Sequence, residues 1–151
     1  MRQLNPGKIK NKIMKIGHKT KASHVASAMS CVNLLCDVYN KWPEAIVILS
    51  KGHGALAQYV ILNELKRLPS SILDTYYKDG GLSVHSTLDR EHGIMASTGS
   101  LGHGLAIGIG YAIASPEKLV IVILGDGELE EGSTLESFQI INRLFSKSQI
   151  T

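Results

Sequence analysis

Apolar residues recur along the first half of the chain at helical spacing. Ile9, Ile13 and Ile16 stand at i, i+4 and i+7 with lysines between them, which predicts an amphipathic helix with a solvated basic face. Val25, Met29, Val32, Leu35 (or Cys36) and Tyr39 line one side of a second helix over about 25–40. The pattern then shortens. Ala45 to Leu49 reads AIVIL, a buried-strand run that Ser50-Lys51-Gly52-His53-Gly54 breaks before a helix through about Arg67. Pro69-Ser70 opens a short helix ending near Lys78, and residues 80–99 read as loop. Leu101 to Ala114 is a helix rich in small residues (Gly102, Gly104, Gly108, Gly110), which implies close packing against a neighbouring backbone. Leu119 to Leu124 (LVIVIL) is the clearest strand, and its unbroken apolar character suits a central parallel strand covered on both faces. Ser133 and Glu136 form a capping-box pattern for a last helix to about Phe145. Helices alternating with apolar runs predict an α/β domain with a largely parallel sheet.

Composition narrows this picture. At 151 residues, 44% of them hydrophobic and 19% charged, one globular domain with a substantial core is expected. No apolar run approaches the roughly 20 residues of a membrane span. The basic N-terminus has no apolar stretch behind its charges, so it does not read as a secretory signal. Cys31 and Cys36 match neither a CxxC nor a zinc spacing and read as buried reduced thiols, which suits a cytoplasmic protein. Arg2, Lys8, Lys10, Lys12, Lys15, Lys19 and Lys21 stand in a stretch without an acid. A nucleic-acid arm is one reading of that charge. The absence of interleaved aromatic residues favours a basic amphipathic helix over residues 1–22, ahead of a domain over 23–151.

Candidate chemistry gathers after the second strand. Gly125-Asp126-Gly127 places a carboxylate at the end of a buried strand and just ahead of a helix, the edge where open α/β sheets bind ligands. Each glycine can take φ > 0 and admit a bulky anion, and the helix that follows offers unpaired N–H groups. One carboxylate suits Mg²⁺, which takes one or two carboxylates together with phosphate oxygens. Other phosphate motifs fail. SKGHG is not followed by Gly-Lys-Ser/Thr, and Gly102-x-Gly104 follows no strand and has Ile107 where a dinucleotide fingerprint needs glycine. Taken alone, Gly-Asp-Gly is equally an ordinary tight turn.

Three segments in series decide the matter. Ser50-Lys51-Gly52-His53-Gly54 resembles the "SKGHG" segment of the transketolase family, and Ala96-Ser97-Thr98-Gly99-Ser100-Leu101-Gly102-His103-Gly104 resembles its "ASTGSLGQG" segment. Gly125-Asp126-Gly127-Glu128-Leu129-Glu130-Glu131-Gly132 is similar to its "GDGELxEG" turn, and Ser23-His24 looks like a weaker form of its N-terminal histidine loop. The resemblance spans roughly 20 to 145. It implies a three-layer thiamine-diphosphate-binding fold, a parallel sheet with helices on both faces, incomplete at its C-terminal end. Deoxyxylulose-phosphate synthases share the Gly-Asp-Gly turn and are the second choice.

The resemblance also implies roles. Asp126 would bind Mg²⁺ or another divalent cation, and Gly127 would offer its N–H to the diphosphate of thiamine diphosphate. His53 would lie beside the diphosphate and thiazolium, with Gly99 and Leu101 on the aminopyrimidine side. His24 and His85 would line the channel for a sugar-phosphate substrate, and Glu131 and Glu136 resemble acids that link paired active sites across a dimer. Glu128 and Glu130 read as solvated or supporting charges; His18 and His92 carry no assigned role. The implied reaction moves a two-carbon ketol unit from a ketose phosphate to an aldose phosphate.

Departures from the family pattern fall on the substrate side: Val25-Ala26 after His24, Val84 and Ser86 around His85, and His103 in place of glutamine. The family's second metal ligand, an asparagine, and its pyrimidine domain would lie beyond Thr151. The chain is therefore expected to be a transketolase segment or subunit that is inactive alone, in a homo-oligomer or with a chain that completes the site. The alternative is a non-catalytic remnant or interaction subunit that keeps the fold.

Overall fold

A computed structural model describes residues 3–145. Helix α1 (Pro6–Thr20) begins at Asn5, whose side-chain oxygen accepts the Lys8 N–H at 3.0 Å, with Pro6 preset for the first turn. Helix α2 (Val25–Lys41) follows, and strand β1 (Ile46–Leu49) leads through a 3₁₀ turn (Gly52–Gly54) into α3 (Ala55–Glu64). Next come α4 (Ser70–Leu73), α5 (His103–Ala114), β2 (Val120–Ile123), a second 3₁₀ turn (Gly127–Glu130) and α6 (Gly132–Phe145). The two strands pair in parallel, Ile46 opposite Val120 and Leu49 opposite Ile123. The architecture is α/β with a small parallel sheet.

Alternation along β1 sends its side chains into two clusters. Val47 and Leu49 join the main core, where Ile9 and Ile13 of α1, Val32 and Leu35 of α2, and Val60 and Ile61 of α3 meet. Ile46 and Ile48 turn the other way, towards Ile107 and Tyr111 of α5. The stripe predicted on α1 is the face that enters the core. On its basic side Lys8 reaches Glu64 at 2.7 Å and Lys12 reaches the same carboxylate at 3.3 Å, while Lys15, Lys19 and Lys21 are exposed. Cys31 and Cys36 are free and buried, and burial pushes both thiols up, Cys36 to about 11. Among the described residues no helix is long and apolar enough to cross a membrane.

Several boundaries differ from the sequence expectation. The third helix stops at Glu64 because Lys66 turns left-handed (φ 63°), letting Arg67 and Leu68 donate back to the Leu62 carbonyl. The helix expected to reach Lys78 ends at Leu73 and continues as turns. Gly102 is left-handed (φ 82°), so α5 starts at His103 and not at Leu101. In α5, Gly104 lies against Ser50 and Gly108 against Val122, where a side chain would collide, while Gly110 faces open space. β2 is less covered than a central strand: only Ile123 is buried, and Leu135, Phe138, Ile140 and Leu144 of α6 are exposed. The capping box does not form as expected either. Helix α6 begins at Gly132, with the Glu131 carbonyl accepting from Thr134 and Leu135, so Ser133 stands inside the first turn.

The α1 seam yields a stability contrast. Ile13 is fully buried, and Ile13→Ala should cost about 2–5 kcal/mol in urea unfolding followed by circular dichroism. Lys8→Ala breaks an exposed ion pair and should cost no more than about 1 kcal/mol. Equal effects would mean that α1 is not held by its apolar face.

Candidate functional site

Both strands end on the same side, and three loops converge there. Ser50 leaves β1 with its N–H on the Ile123 carbonyl at 2.9 Å, so the ends of the two strands are tied together. The loop ahead of α5 is tied to the same place, because the Thr98 hydroxyl donates to the Leu49 carbonyl at 2.7 Å. At Gly52 a side chain is impossible: a Cβ there would stand 2.6 Å from the Thr98 carbonyl carbon. The turn after β2 completes the group through Gly125, which lies beside the Lys51 side chain.

A carboxylate joins all three. Glu128 is only 1% exposed, and its Oε1 accepts from the Ser50 hydroxyl at 2.6 Å and the Gly102 N–H at 2.9 Å. Its Oε2 accepts the Gly125 N–H at 2.8 Å. Of the two readings offered for these acids, Glu128 takes the supporting one and Glu130, which is exposed, the solvated one. A buried carboxylate is tolerated when hydrogen bonds satisfy its oxygens, and three donors do so here. The one sequence clue was its position three residues after Gly125, within reach of its own turn's N–H; the other two donors lie 78 and 26 residues away.

Three histidines face one another nearby. The ring of His24 lies 5.7 Å from that of His53 and 5.5 Å from that of His85. His24 caps α2 in a left-handed conformation (φ 62°), a region histidine enters more readily than branched residues do. His53 sits in the 3₁₀ turn after β1. His85 is held through its carbonyl, which accepts the hydroxyl of buried Tyr59 at 3.0 Å, and Gly99 (φ 139°) packs against its ring. Lys51 adds a cation whose Nζ reaches only the Ser30 hydroxyl, at 3.2 Å, among the described residues. Burial holds His53 below the ordinary histidine value, and Lys51 and His24 lower it further, while Glu128 pulls the other way. The neutral imidazole is favoured, and the cluster as a whole suits an anion.

The remaining sequence candidates divide. Asp126 is exposed just past the end of β2, its carboxylate engaged in no capping bond. Neither Gly125 nor Gly127 uses the positive φ that glycine allows. A Cβ on Gly127 would meet nothing within 4 Å, so the room there faces outward from the chain. Leu101 is half-buried beside Gly102, whereas Glu131 and Glu136 are exposed on the α6 side and carry no hydrogen bond into the histidine cluster. His92 bonds Asp89 at 2.6 Å and pins the 89–94 turn, a structural use the sequence did not suggest. Among the described residues no three of His, Cys, Asp and Glu gather as a self-sufficient metal site. An exposed carboxylate beside an open turn fits a cation whose other ligands come from a phosphate.

The fold is α/β, and the edge where its strands end carries three histidines and Lys51, with Asp126 exposed just past β2. The chain belongs to the XFP N-terminal domain family, a transketolase-like N-terminal domain, whose sequence model matches residues 1–148. It is 34% identical over 151 aligned positions to one subunit of the apulose-4-phosphate transketolase of Phocaeicola vulgatus, covering 89% of this chain and 53% of that protein. It is 33% identical over 135 positions to the 6-deoxy-6-sulfo-D-fructose transketolase subunit SqwG of Clostridium sp., covering 79% of this chain and 49% of that one. With the transketolase of Mycoplasma pneumoniae it shares 29% over 142 positions, 77% of this chain and 22% of the relative. The chain thus spans about half the length of the curated subunits it matches.

The depressed His53 value has a measurable sign. Its folded pKa lies below the unfolded one, so its stabilising contribution is present above 6.5 and is lost as pH falls through the folded value. Proton NMR of the ring C2–H should give a midpoint below 6.5, and saturating inorganic pyrophosphate should raise it; a midpoint at or above 6.5 without anion would contradict the assignment.

Proposed function

We propose that this chain is the diphosphate-binding segment or subunit of a thiamine-diphosphate-dependent transketolase. In this reading it works with a chain that supplies the remainder of the site. The observation that carries the reading is the convergence of SKGHG, ASTGSLG and GDGELEEG on one strand-end edge, with His24, His53 and His85 beside them. Family membership and relatives named as transketolase subunits support it. The substrates are a ketose phosphate donor and an aldose phosphate acceptor, the site of action is cytoplasmic, and the working form is a homo-oligomer or heteromer. In the whole protein the two strands belong to a larger, three-layer parallel sheet.

Asp126 holds Mg²⁺ against the diphosphate, and the Gly127 N–H, with open space around it, donates to a phosphate oxygen. Thiamine diphosphate, when bound, supplies the nucleophilic carbon and the electron sink for breaking a carbon–carbon bond. Neutral His53 accepts or donates one hydrogen bond at the cofactor, and Gly99 and Leu101 present backbone groups on the aminopyrimidine side. His24 and His85 face the same space and orient ketose hydroxyls, which a neutral imidazole can do as donor or acceptor. Glu131 and Glu136 stand on the α6 side, where exposed Leu135, Phe138 and Ile140 offer a surface for the second chain.

Calorimetry of the chain with thiamine diphosphate tests the proposal. Binding should need Mg²⁺, and Asp126→Ala should remove the metal dependence and weaken affinity at least about tenfold. Two-carbon transfer should appear only when the completing chain is added. Absence of any binding heat with Mg²⁺ present would favour the alternative, a non-catalytic subunit that keeps the fold.

A further inference from the structure

We propose that Glu128 is a positioning residue that locks the three loops of the cradle at one spacing before any ligand arrives. The inference deepens the cofactor reading above and rests on it for the identity of the ligand. Each of its three donors belongs to a different loop: Ser50 closes β1, Gly102 caps α5, and Gly125 closes β2. From each donor the chain runs directly to a candidate ligand group. Ser50 precedes Lys51 and His53, Gly102 follows Gly99 and Leu101, and Gly125 precedes Asp126. Glu128 is buried and does not reach the ligand space, so it acts through these neighbours.

The contact is specific to a carboxylate. All three partners are donors, and two share Oε1 while the third uses Oε2, so both ends of the side chain must accept. Glutamine accepts at one end only and would turn an NH₂ group against at least one N–H. The surroundings leave no second arrangement. Ser50 is fully buried, and Gly102 is held at φ 82° where a Cβ would stand 2.8 Å from that of Glu131. Gly104 presses on Ser50 from the other side.

The 151-residue chain is compared as wild type, Glu128→Gln, and Ile13→Ala as a core control remote from the loops. In hydrogen–deuterium exchange, Glu128→Gln should speed the Gly102 and Gly125 amides at least about tenfold while α1 to α3 stay protected. Titrated with thiamine diphosphate and MgCl₂, Glu128→Gln should bind at least about tenfold more weakly. Ile13→Ala should lower the unfolding midpoint and leave affinity unchanged well below it, an effect a merely structural Glu128 would share. Wild-type affinity with unaltered exchange in Glu128→Gln overturns the proposal. If the wild-type chain does not bind the cofactor, that reading fails by itself. The exchange data then still decide whether Glu128 locks the loops, since unchanged amides reject it and a rise confined to 102 and 125 upholds it. Should Glu128→Gln not fold, Ser50→Ala removes one donor and keeps the carboxylate. Its expected result is a several-fold loss of affinity with faster exchange at Gly102, and no change in either overturns the proposal.

Discussion

A carboxylate removed from water needs donors on both oxygens, and at Glu128 the fold supplies them from three separate places in the chain. That demand explains much of the local structure. It requires the ends of β1 and β2 to lie side by side, the cap of α5 to reach back towards Ser50, and the turn after β2 to coil as a 3₁₀ helix so that the side chain meets its own turn's N–H. Close contacts made through Gly52, Gly102 and Gly104 follow from the same crowding. In contrast, Gly125 and Gly127 are under no internal pressure to be glycine, since a Cβ would meet at most ordinary contact. Space that nothing within the chain needs, at the mouth of a ligand edge, is what a bound anion would use.

Charge around this edge is arranged asymmetrically. Lys51 and three histidines gather there, Asp126 is exposed just past β2, and the buried Glu128 charge is absorbed by hydrogen bonds. The His53 pKa is lowered first by burial and then by neighbouring Lys51 and His24, all of which disfavour a second proton.

Legibility varied with the range of the interaction. Helices α1 and α2 were readable because their apolar spacing is local, and both strands were readable as unbroken apolar runs. Helix ends were misjudged where a non-glycine residue turned left-handed, as Lys66 does after α3, since nothing in a lysine announces that conformation. Ser133 and Glu136 have the letters of a capping box, but the helix starts two residues earlier and Glu131 stands at the cap. Reading α5 as a tight packer was correct at Gly104 and Gly108 and failed at Gly110, because which face meets the sheet is a tertiary matter.

Three motifs, their order and their glycines are properties of the sequence by itself, and they were sufficient to identify the family. Only the tertiary structure decided how those motifs stand to one another. It brought His24, His53 and His85 within ring contact, left Asp126 free, and turned Glu128 from one acid among several into the buried link between loops. The physical reason is range. A motif records which groups are present, but whether a carboxylate faces water or three distant donors depends on contacts 26 and 78 residues apart, which no local pattern encodes.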